Sequence, residues 1–344
     1  MLKILHITEA FGGGVTSAIN TYVEHSQQYE HYLFASVRLQ DTTGEESIGI
    51  FEGTKIVTHW SGFFWLLYKY IKEIQPDVIH VHSSYAGVFV RLLPFSTRKK
   101  IVYTPHAFAF LRNDNALKLK MYYFIEWLLS FRTRVIAGCG RDERNIANQL
   151  NPVIESFELI NVCGPLPSLD RKEKNTLPVI VMIGRVCDQK GYQFFADVAS
   201  KVGTKAKFLW IGGGDANSVS ALTSAGVSVT GWISRSEVLQ HLVNSDMYFH
   251  SAAWDGFPIS VLEAAYYKLP VMLRGIGPFR AENLTVIESV SEAAQMIKQC
   301  TSDDENVINM LTNNSKMVRE YHTSENLSEA LSQLYNKFGS KVNL

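Results

Sequence analysis

Short runs of apolar, β-branched and aromatic residues recur along the first half of the chain. They lie at Lys3–Ile7, Tyr32–Val37, Val78–His82, Ile101–Tyr103, Val135–Ala137 and Phe157–Ile160, and read as strands buried on both faces. Between them apolar positions fall at helical spacing: Val15, Ala18, Ile19, Tyr22 and Val23 repeat at i, i+3, i+4, i+7 and i+8. A second strand series follows at Val179–Gly184, Lys207–Ile211, Ser228–Thr230, Met247–His250 and Val271–Leu273. Strand–helix alternation of this kind predicts α/β architecture with parallel, doubly wound sheets, once in each half. The segment Gly164-Pro165-Leu166-Pro167-Ser168, the charged residues after it and Pro178 read as a linker. The domains predicted are therefore 1–165 and 179–320, joined by 166–178, with a helical segment at 321–344. Ligands of such sheets sit beyond the carboxyl ends of the strands, so the loops there are the places to look for chemistry.

Composition narrows the class. Lys+Arg and Asp+Glu both number 33, and this zero net charge argues against nucleic acid as the main partner. Cys139, Cys163, Cys187 and Cys300 are far apart, with no C-x-x-C, which fits a reducing compartment and excludes a zinc site of local spacing. With no signal-peptide core and no apolar run long enough to span a bilayer, a cytoplasmic protein is expected.

Four loops carry candidate chemistry. Gly12-Gly13-Gly14 follows the first strand and is either a tight turn or an anion-binding loop. The dinucleotide fingerprint would need glycine where Ser17 stands, which disfavours a Rossmann oxidoreductase. Gly184-Arg185-Val186-Cys187-Asp188-Gln189-Lys190-Gly191 puts two cations in one strand-to-helix loop, suited to a diphosphate's adjacent anionic oxygens. Gly212-Gly213-Gly214 is a turn or a nucleotide-lining loop. Trp254-Asp255-Gly256-Phe257-Pro258-Ile259-Ser260-Val261-Leu262-Glu263 is the sharpest signal. Pro258 suits the first turn of a helix over 259–268, whose free N–H groups would face a phosphate. Glu263 lies within an apolar run, where an unpaired carboxylate is costly, and its placement suits a ribose diol. His106 sits just past a strand end, a position often filled by a structural histidine; His80 and His82 read as structural too. These three histidines have no accompanying carboxylate pattern, and no D-x-D motif is present to hold a divalent ion.

Taken together, these motifs resemble the retaining glycosyltransferases of family 4, over nearly the whole chain. The resemblance rests on Gly12–Gly14, His106, Asn161-Val162-Cys163-Gly164, the Arg185/Lys190 pair, an E-x7-E-like region ending at Glu263, and Tyr321-His322-Thr323 before a final helix. It implies a GT-B fold: two Rossmann-like domains facing across a cleft, the first for acceptor and the second for donor, with the C-terminal helix returning to the first. It implies retaining, metal-free transfer from a nucleotide-sugar, UDP-sugar favoured, which is a co-substrate rather than a cofactor. Arg185 and Lys190 would hold the diphosphate and Glu263 the ribose. Asp255, Gly256, Phe257 and Pro258 would hold the donor sugar, and backbone N–H groups near Ile259, Ser260 and Val261 the phosphate. The turn at Gly231-Trp232-Ile233 would meet the base, with Gly13, Gly14, Gly184 and Gly213 lining the donor site. His106 would contact the donor sugar near the reacting carbon. In place of the family's first glutamate the chain carries Asp255, one methylene shorter, a change that bears on donor identity. The alternatives are a nucleotide-sugar epimerase of the same fold and a non-catalytic nucleotide-sugar-binding module; the retained Arg185, Lys190, Glu263 and His106 argue against the latter.

The acceptor implied is a glycan or polyprenyl-linked glycan of bacterial surface polysaccharide (lipopolysaccharide or capsule). Residues 91–134 hold nine cations (Arg91, Arg98, Lys99, Lys100, Arg112, Lys118, Lys120, Arg132, Arg134) against Asp114 and Glu126. Phe108, Phe110, Tyr122, Tyr123, Phe124, Trp127 and Phe131 are interleaved, and Trp60, Phe63, Phe64, Trp65, Tyr68 and Tyr70 form an earlier aromatic cluster. Either the aromatics are core and the cations a solvated face, or the stretch lies on the cytoplasmic face of the inner membrane.

Overall fold

The computed structural model describes the chain apart from residues 10, 37–48, 58–61, 94–97, 113, 172–174 and 340–344. It divides into two compact units, Met1–Gly164 with Thr323–Leu344, and Pro165–His322.

The first unit runs β1 (Lys3–Thr8), α1 (Gly13–Glu24), β2 (Glu30–Ser36), β3 (Gly53–Val57), α2 (Phe63–Ile74), β4 (Val78–His82), α3 (Ser84–Leu92), β5 (Ile101–Thr104), α4 (Ala116–Ser130), β6 (Val135–Gly138), α5 (Arg141–Leu150) and β7 (Glu155–Glu158). Its seven strands pair in the order β3-β2-β1-β4-β5-β6-β7, all parallel. The central strands are buried throughout, which is why they read as continuous apolar runs. The pattern gave no sign of β3, because Gly53-Thr54-Lys55-Ile56-Val57 is an edge strand exposed over most of its length. At the opposite edge the run Phe157–Ile160 pairs two residues earlier than the pattern predicts, with Glu155–Glu158 against Val135–Gly138. Trp60 and residues 94–97 lie outside the described residues.

The second unit runs β8 (Val179–Ile183), α6 (Tyr192–Val202), β9 (Lys207–Ile211), α7 (Ala216–Ser224), β10 (Val227–Val229), α8 (Arg235–Val243), β11 (Met247–His250), α9 (Ile259–Tyr266), β12 (Val271–Leu273), α10 (Gly277–Ala281), α11 (Val290–Cys300) and α12 (Glu305–Tyr321). Its five parallel strands lie in the order β10-β9-β8-β11-β12. The winding direction reverses between β8 and β11. The loops after these two strands, carrying Arg185–Lys190 and Asp255–Pro258, therefore flank the switch point where doubly wound sheets bind ligands.

The last helix, α13 (Ser324–Asn336), belongs to the first unit. It is tied there by Gln28 Nε2 donating to Ser332 Oγ (3.0 Å) and Tyr29 Oη to Asn336 Oδ1 (2.8 Å).

Candidate functional site

In the second unit, backbone geometry sews the β8 loop to the β11 loop. Gly191 has φ +70°, and a Cβ there would lie 2.1 Å from the Ser251 carbonyl oxygen, so only glycine permits this approach. Ser251 Oγ donates to the Lys190 carbonyl (2.9 Å), and the Ala253 N–H donates to the Gln189 carbonyl (2.9 Å). This stitching carries the Lys190 ammonium to Asp255, with Nζ–Oδ2 at 2.5 Å. Asp255 also faces the fully buried His250, with Nε2–Oδ2 at 3.5 Å. Burial works against the Asp255 charge, but Lys190 and His250 outweigh it and hold the carboxyl down to about 2. Burial lowers His250 while Asp255 pulls the other way. The Tyr248 hydroxyl bridges His250 Nδ1 (3.2 Å) and Ser260 Oγ (2.7 Å), which ties the strand end to the first turn of α9.

That turn carries no side-chain cap. Pro258 occupies the N-cap with extended backbone (φ −75°, ψ 131°), one position earlier than the sequence pattern predicts. It has no side-chain acceptor to offer; its carbonyl takes the Val261 N–H (3.1 Å), which the resemblance assigns to the phosphate, and the N–H groups of Ile259 and Ser260 keep their capacity for an anion. One turn in, Glu263 is 3% exposed and ion-paired with Arg235. Burial raises its carboxyl, and Arg235 partly offsets this. On the β9 loop, a Cβ at Gly213 would lie 2.7 Å from the indole Nε1 of Trp232, so glycine lets the half-exposed Trp232 ring settle on the backbone. The Trp210 indole donates to the Gly184 carbonyl (2.7 Å).

In the first unit, Gly13 and Gly14 open α1 at the carboxyl end of β1, both exposed, with no side-chain cap on that helix. His106, beyond β5, has φ +49° and is followed by Ala107 at φ +78°. Two successive non-glycine residues in this region mark a strained turn, costing on the order of 1–3 kcal/mol each. The Glu143 carboxylate holds the turn by accepting from the Ala107 N–H and, at 2.9 Å, the Cys139 N–H. Both His106 ring nitrogens have protein partners: Nε2 with His82 Nδ1 (3.1 Å) and Nδ1 with Cys139 Sγ (3.1 Å). His6, His80 and His82 come close enough to share an ion, but all six of their ring nitrogens already meet a histidine, Thr104 or Tyr335.

Two family models match most of the chain: "Glycosyltransferase Family 4" over residues 11–154 and "Glycosyl transferases group 1" over residues 177–303. The chain belongs to the family 4 glycosyltransferases. It is 26% identical over 297 residues to a Klebsiella pneumoniae protein, "Uncharacterized 41.2 kDa protein in cps region", with 80% of this chain and 81% of that one covered. It is 25% identical over 240 residues to the Escherichia coli "UDP-Gal:alpha-D-GlcNAc-diphosphoundecaprenol alpha-1,3-galactosyltransferase", covering 61% of this chain and 60% of the relative. Among solved structures, HepE from Anabaena, in complex with UDP-glucose, matches at TM-score 0.73 and 15% identity, over 98% of this chain and 100% of that one. The two parallel sheets are those of the GT-B fold.

In this glycosyltransferase, Lys190, Asp255 and the start of α9 converge, with Gly213 against Trp232 on neighbouring loops of the same sheet. Arg185 is exposed on the β8 loop, and Ile233 is half-buried in the turn before α8. The side chains of Phe257 and Val261 are core: Phe257 packs against His322 (ring centroids 4.0 Å) and Phe279 (5.7 Å), and Val261 is fully buried. Gly256 donates its N–H to Asp255 Oδ1 (3.1 Å). Sequence reasoning missed His250 and Arg235. His250 ends a strand five residues before Asp255, and Arg235 is the first helical residue inside the Ser234…Glu237 capping box. Each motif places its side chain beside the site loops.

Proposed function

We propose that this glycosyltransferase moves a sugar from a UDP-sugar to a polyprenyl-diphosphate-linked glycan, with retention of configuration and without a metal, in the assembly of a bacterial surface polysaccharide. The observation that carries this is the convergence of Lys190, Asp255 and the uncapped α9 terminus beside the switch point of one sheet. Departure of UDP concentrates negative charge on the diphosphate, and cations with a helix N-terminus are preorganised to receive it. The β-phosphate competes with Asp255 for Lys190, which releases the carboxylate for donor-sugar hydroxyls. Glu263 takes the ribose and Trp232 the base. The donor in the E. coli relative's name and the UDP-glucose bound to HepE support a UDP-sugar donor, and the former's name supports a lipid-diphosphate acceptor. The test is a panel of UDP-sugars with a short polyprenyl-diphosphate-linked acetamido sugar as acceptor, with anomeric configuration read by proton NMR and activity measured with EDTA. Transfer with an unchanged anomeric configuration and full activity in EDTA is expected. An interconverted donor would mean an epimerase, and binding without turnover a non-catalytic module. A strict need for manganese would overturn the metal-free reading.

The acceptor's lipid suits α4. Its Leu117, Phe124 and Leu128 are more than half exposed (77%, 58% and 52%), and Met121, Tyr123, Trp127 and Phe131 are exposed beside them. Lys118, Lys120, Arg112 and Arg132 lie on the same segment, exposed. Of the nine cations in 91–134, Arg91 is the exception: fully buried, it pairs with Glu126 (2.8 Å) and anchors α4 instead of facing solvent. No helix among the described residues is long and apolar enough to cross a membrane. An exposed apolar helix rimmed by cations fits an anionic bilayer surface. Phe124→Glu with Leu128→Glu is expected to weaken sedimentation with phosphatidylglycerol vesicles at least about tenfold, from lost apolar burial, while leaving UDP-sugar hydrolysis intact. Equal vesicle binding by this variant would rule α4 out.

A further inference from the structure

Among the described residues five histidines lie in the first unit's sheet region, and four of them form a chain. His31 belongs to β2, His6 to β1 and His82 to β4, while His106 follows β5 and Cys139 follows β6. These are consecutive strands of the sheet, so one residue per strand climbs from its interior to its carboxyl edge. The contacts are His31 Nδ1–His6 Nε2 (3.0 Å), His6 Nδ1–His82 Nε2 (3.1 Å), His82 Nδ1–His106 Nε2 (3.1 Å) and His106 Nδ1–Cys139 Sγ (3.1 Å).

The far end fixes the direction. His31 Nε2 lies 2.9 Å from the Ser26 carbonyl oxygen, which can only accept, so that nitrogen carries a proton. In a neutral ring Nδ1 is then bare and accepts from His6 Nε2–H. The same reasoning passes along the chain. His6 Nδ1 accepts from His82 Nε2–H, His82 Nδ1 accepts from His106 Nε2–H, and His106 Nδ1 accepts from the Cys139 thiol. Every ring is used once as donor and once as acceptor, and all four share one tautomer. A proton added to His31, His6 or His82 would place two donors face to face, and one added to His106 at Nδ1 would turn the Cys139 thiol from donor to weak acceptor.

We propose that His31, His6 and His82 are positioning residues that fix the ring proton of His106 on Nε2, directed into the sheet. This rests on the reading of His106 as a donor-site residue. Its use there is electrostatic. A glycosyl group leaving its diphosphate develops positive charge at the reacting carbon, as in other glycosyl cleavages, and an imidazolium beside it would oppose that charge. Burial supports neutrality, lowering His31, His6 and His82 and pushing His106 down to about 4. The other titratable groups facing the chain are His80, Tyr22, Tyr29, Tyr335, Cys139 and Glu143. Burial lowers His80, raises Tyr22, Tyr335 and Cys139, and lifts Glu143 to about 7. None of these adds a permanent cation.

The first test needs no substrate and no variant. Long-range proton–nitrogen NMR of the ¹⁵N-histidine-labelled native protein, without UDP, is expected to report the Nε2–H tautomer for His31, His6, His82 and His106 at pH 7.5, and uncharged rings at pH 5.5. An Nδ1–H tautomer or an imidazolium at His106 would overturn the proposal. The second test joins the chain to catalysis, using the UDP-sugar that the panel selects. His82→Phe removes the acceptor for His106. It is expected to lower kcat about tenfold by freeing the ring to take the other tautomer, to move the acid limb of the kcat profile further down, since the imidazolium loses more than the neutral ring when its acceptor goes, and to leave UDP affinity unchanged. His82→Asn puts an amide oxygen near the Nδ1 position and is expected to restore most of kcat and the native profile. A His82→Phe enzyme with native kcat and profile would overturn the positioning role. If no UDP-sugar is turned over by the native enzyme, the functional reading fails, and the substrate-free tautomers still decide the chain.

Discussion

Lys190→Ala is expected to lower kcat on the preferred UDP-sugar by about 10²-fold or more, the scale on which loss of one preorganised charge stabiliser is felt. Lys190 meets Asp255 at 2.5 Å, so the protein's own carboxylate holds the ammonium in place. Its contact with the diphosphate strengthens as the bond to the sugar breaks, so the loss falls on kcat more than on KM. The same substitution leaves Asp255 facing His250 and accepting from the Gly256 N–H. The Asp255 carboxyl, held at about 2, is below its unfolded value, so it contributes stability above about pH 4 that is lost as pH falls toward 2. Most of this contribution, on the order of 2 kcal/mol at neutral pH, disappears with Lys190. A lower melting temperature at pH 7 with unchanged far-ultraviolet circular dichroism should accompany the kinetic loss. Arg185→Ala on the same loop is expected to act in the same direction. Near-native kcat in the double variant would remove both cations from the leaving-group role.

Asp255→Ala separates sugar from nucleotide. If the carboxylate meets donor-sugar hydroxyls once Lys190 has turned to the phosphate, its removal leaves those hydroxyls unpaired in the transition state. Sites built to bond a hydroxyl discriminate by large factors, and kcat/KM is expected to fall by about 10²-fold or more. UDP affinity moves the other way. Asp255 competes with the diphosphate for Lys190, so calorimetry should find UDP bound as tightly as before or more tightly. Glu263→Ala, which removes the carboxylate assigned to the ribose and strands Arg235, should weaken UDP. Asp255→Glu should retain part of the activity and shift preference among donor epimers, because one added methylene displaces the acceptor oxygens. Loss of UDP affinity in Asp255→Ala as severe as in Glu263→Ala would assign Asp255 to the nucleotide pocket.

The central strands of both sheets were legible because they are buried on two faces and are apolar over most of their length. Lys3–Thr8, Val78–His82, Val179–Ile183 and Lys207–Ile211 stand within a residue of where the pattern put them. Edge strands carry no such requirement: β3 left no signal, and β7 was displaced. In the candidate site, Arg185, Lys190, Asp255 and Glu263 could be named because charged residues beside glycine or proline at strand ends are local features of the chain.

What the sequence determined by itself was the parallel α/β class, the positions of the site loops and the charges upon them, since each depends on residues within a few positions of one another. Only the tertiary structure decided the partners. Lys190 meets Asp255, Arg235 meets Glu263, and Arg91, counted among surface cations, lies buried on Glu126. The sheet order alone brings His31, His6, His82 and His106 into one line. These pairings join residues 24 to 76 positions apart. Whether a buried charge or ring finds its complement at such separations depends on strand order and register, which no local pattern of apolar and polar positions encodes.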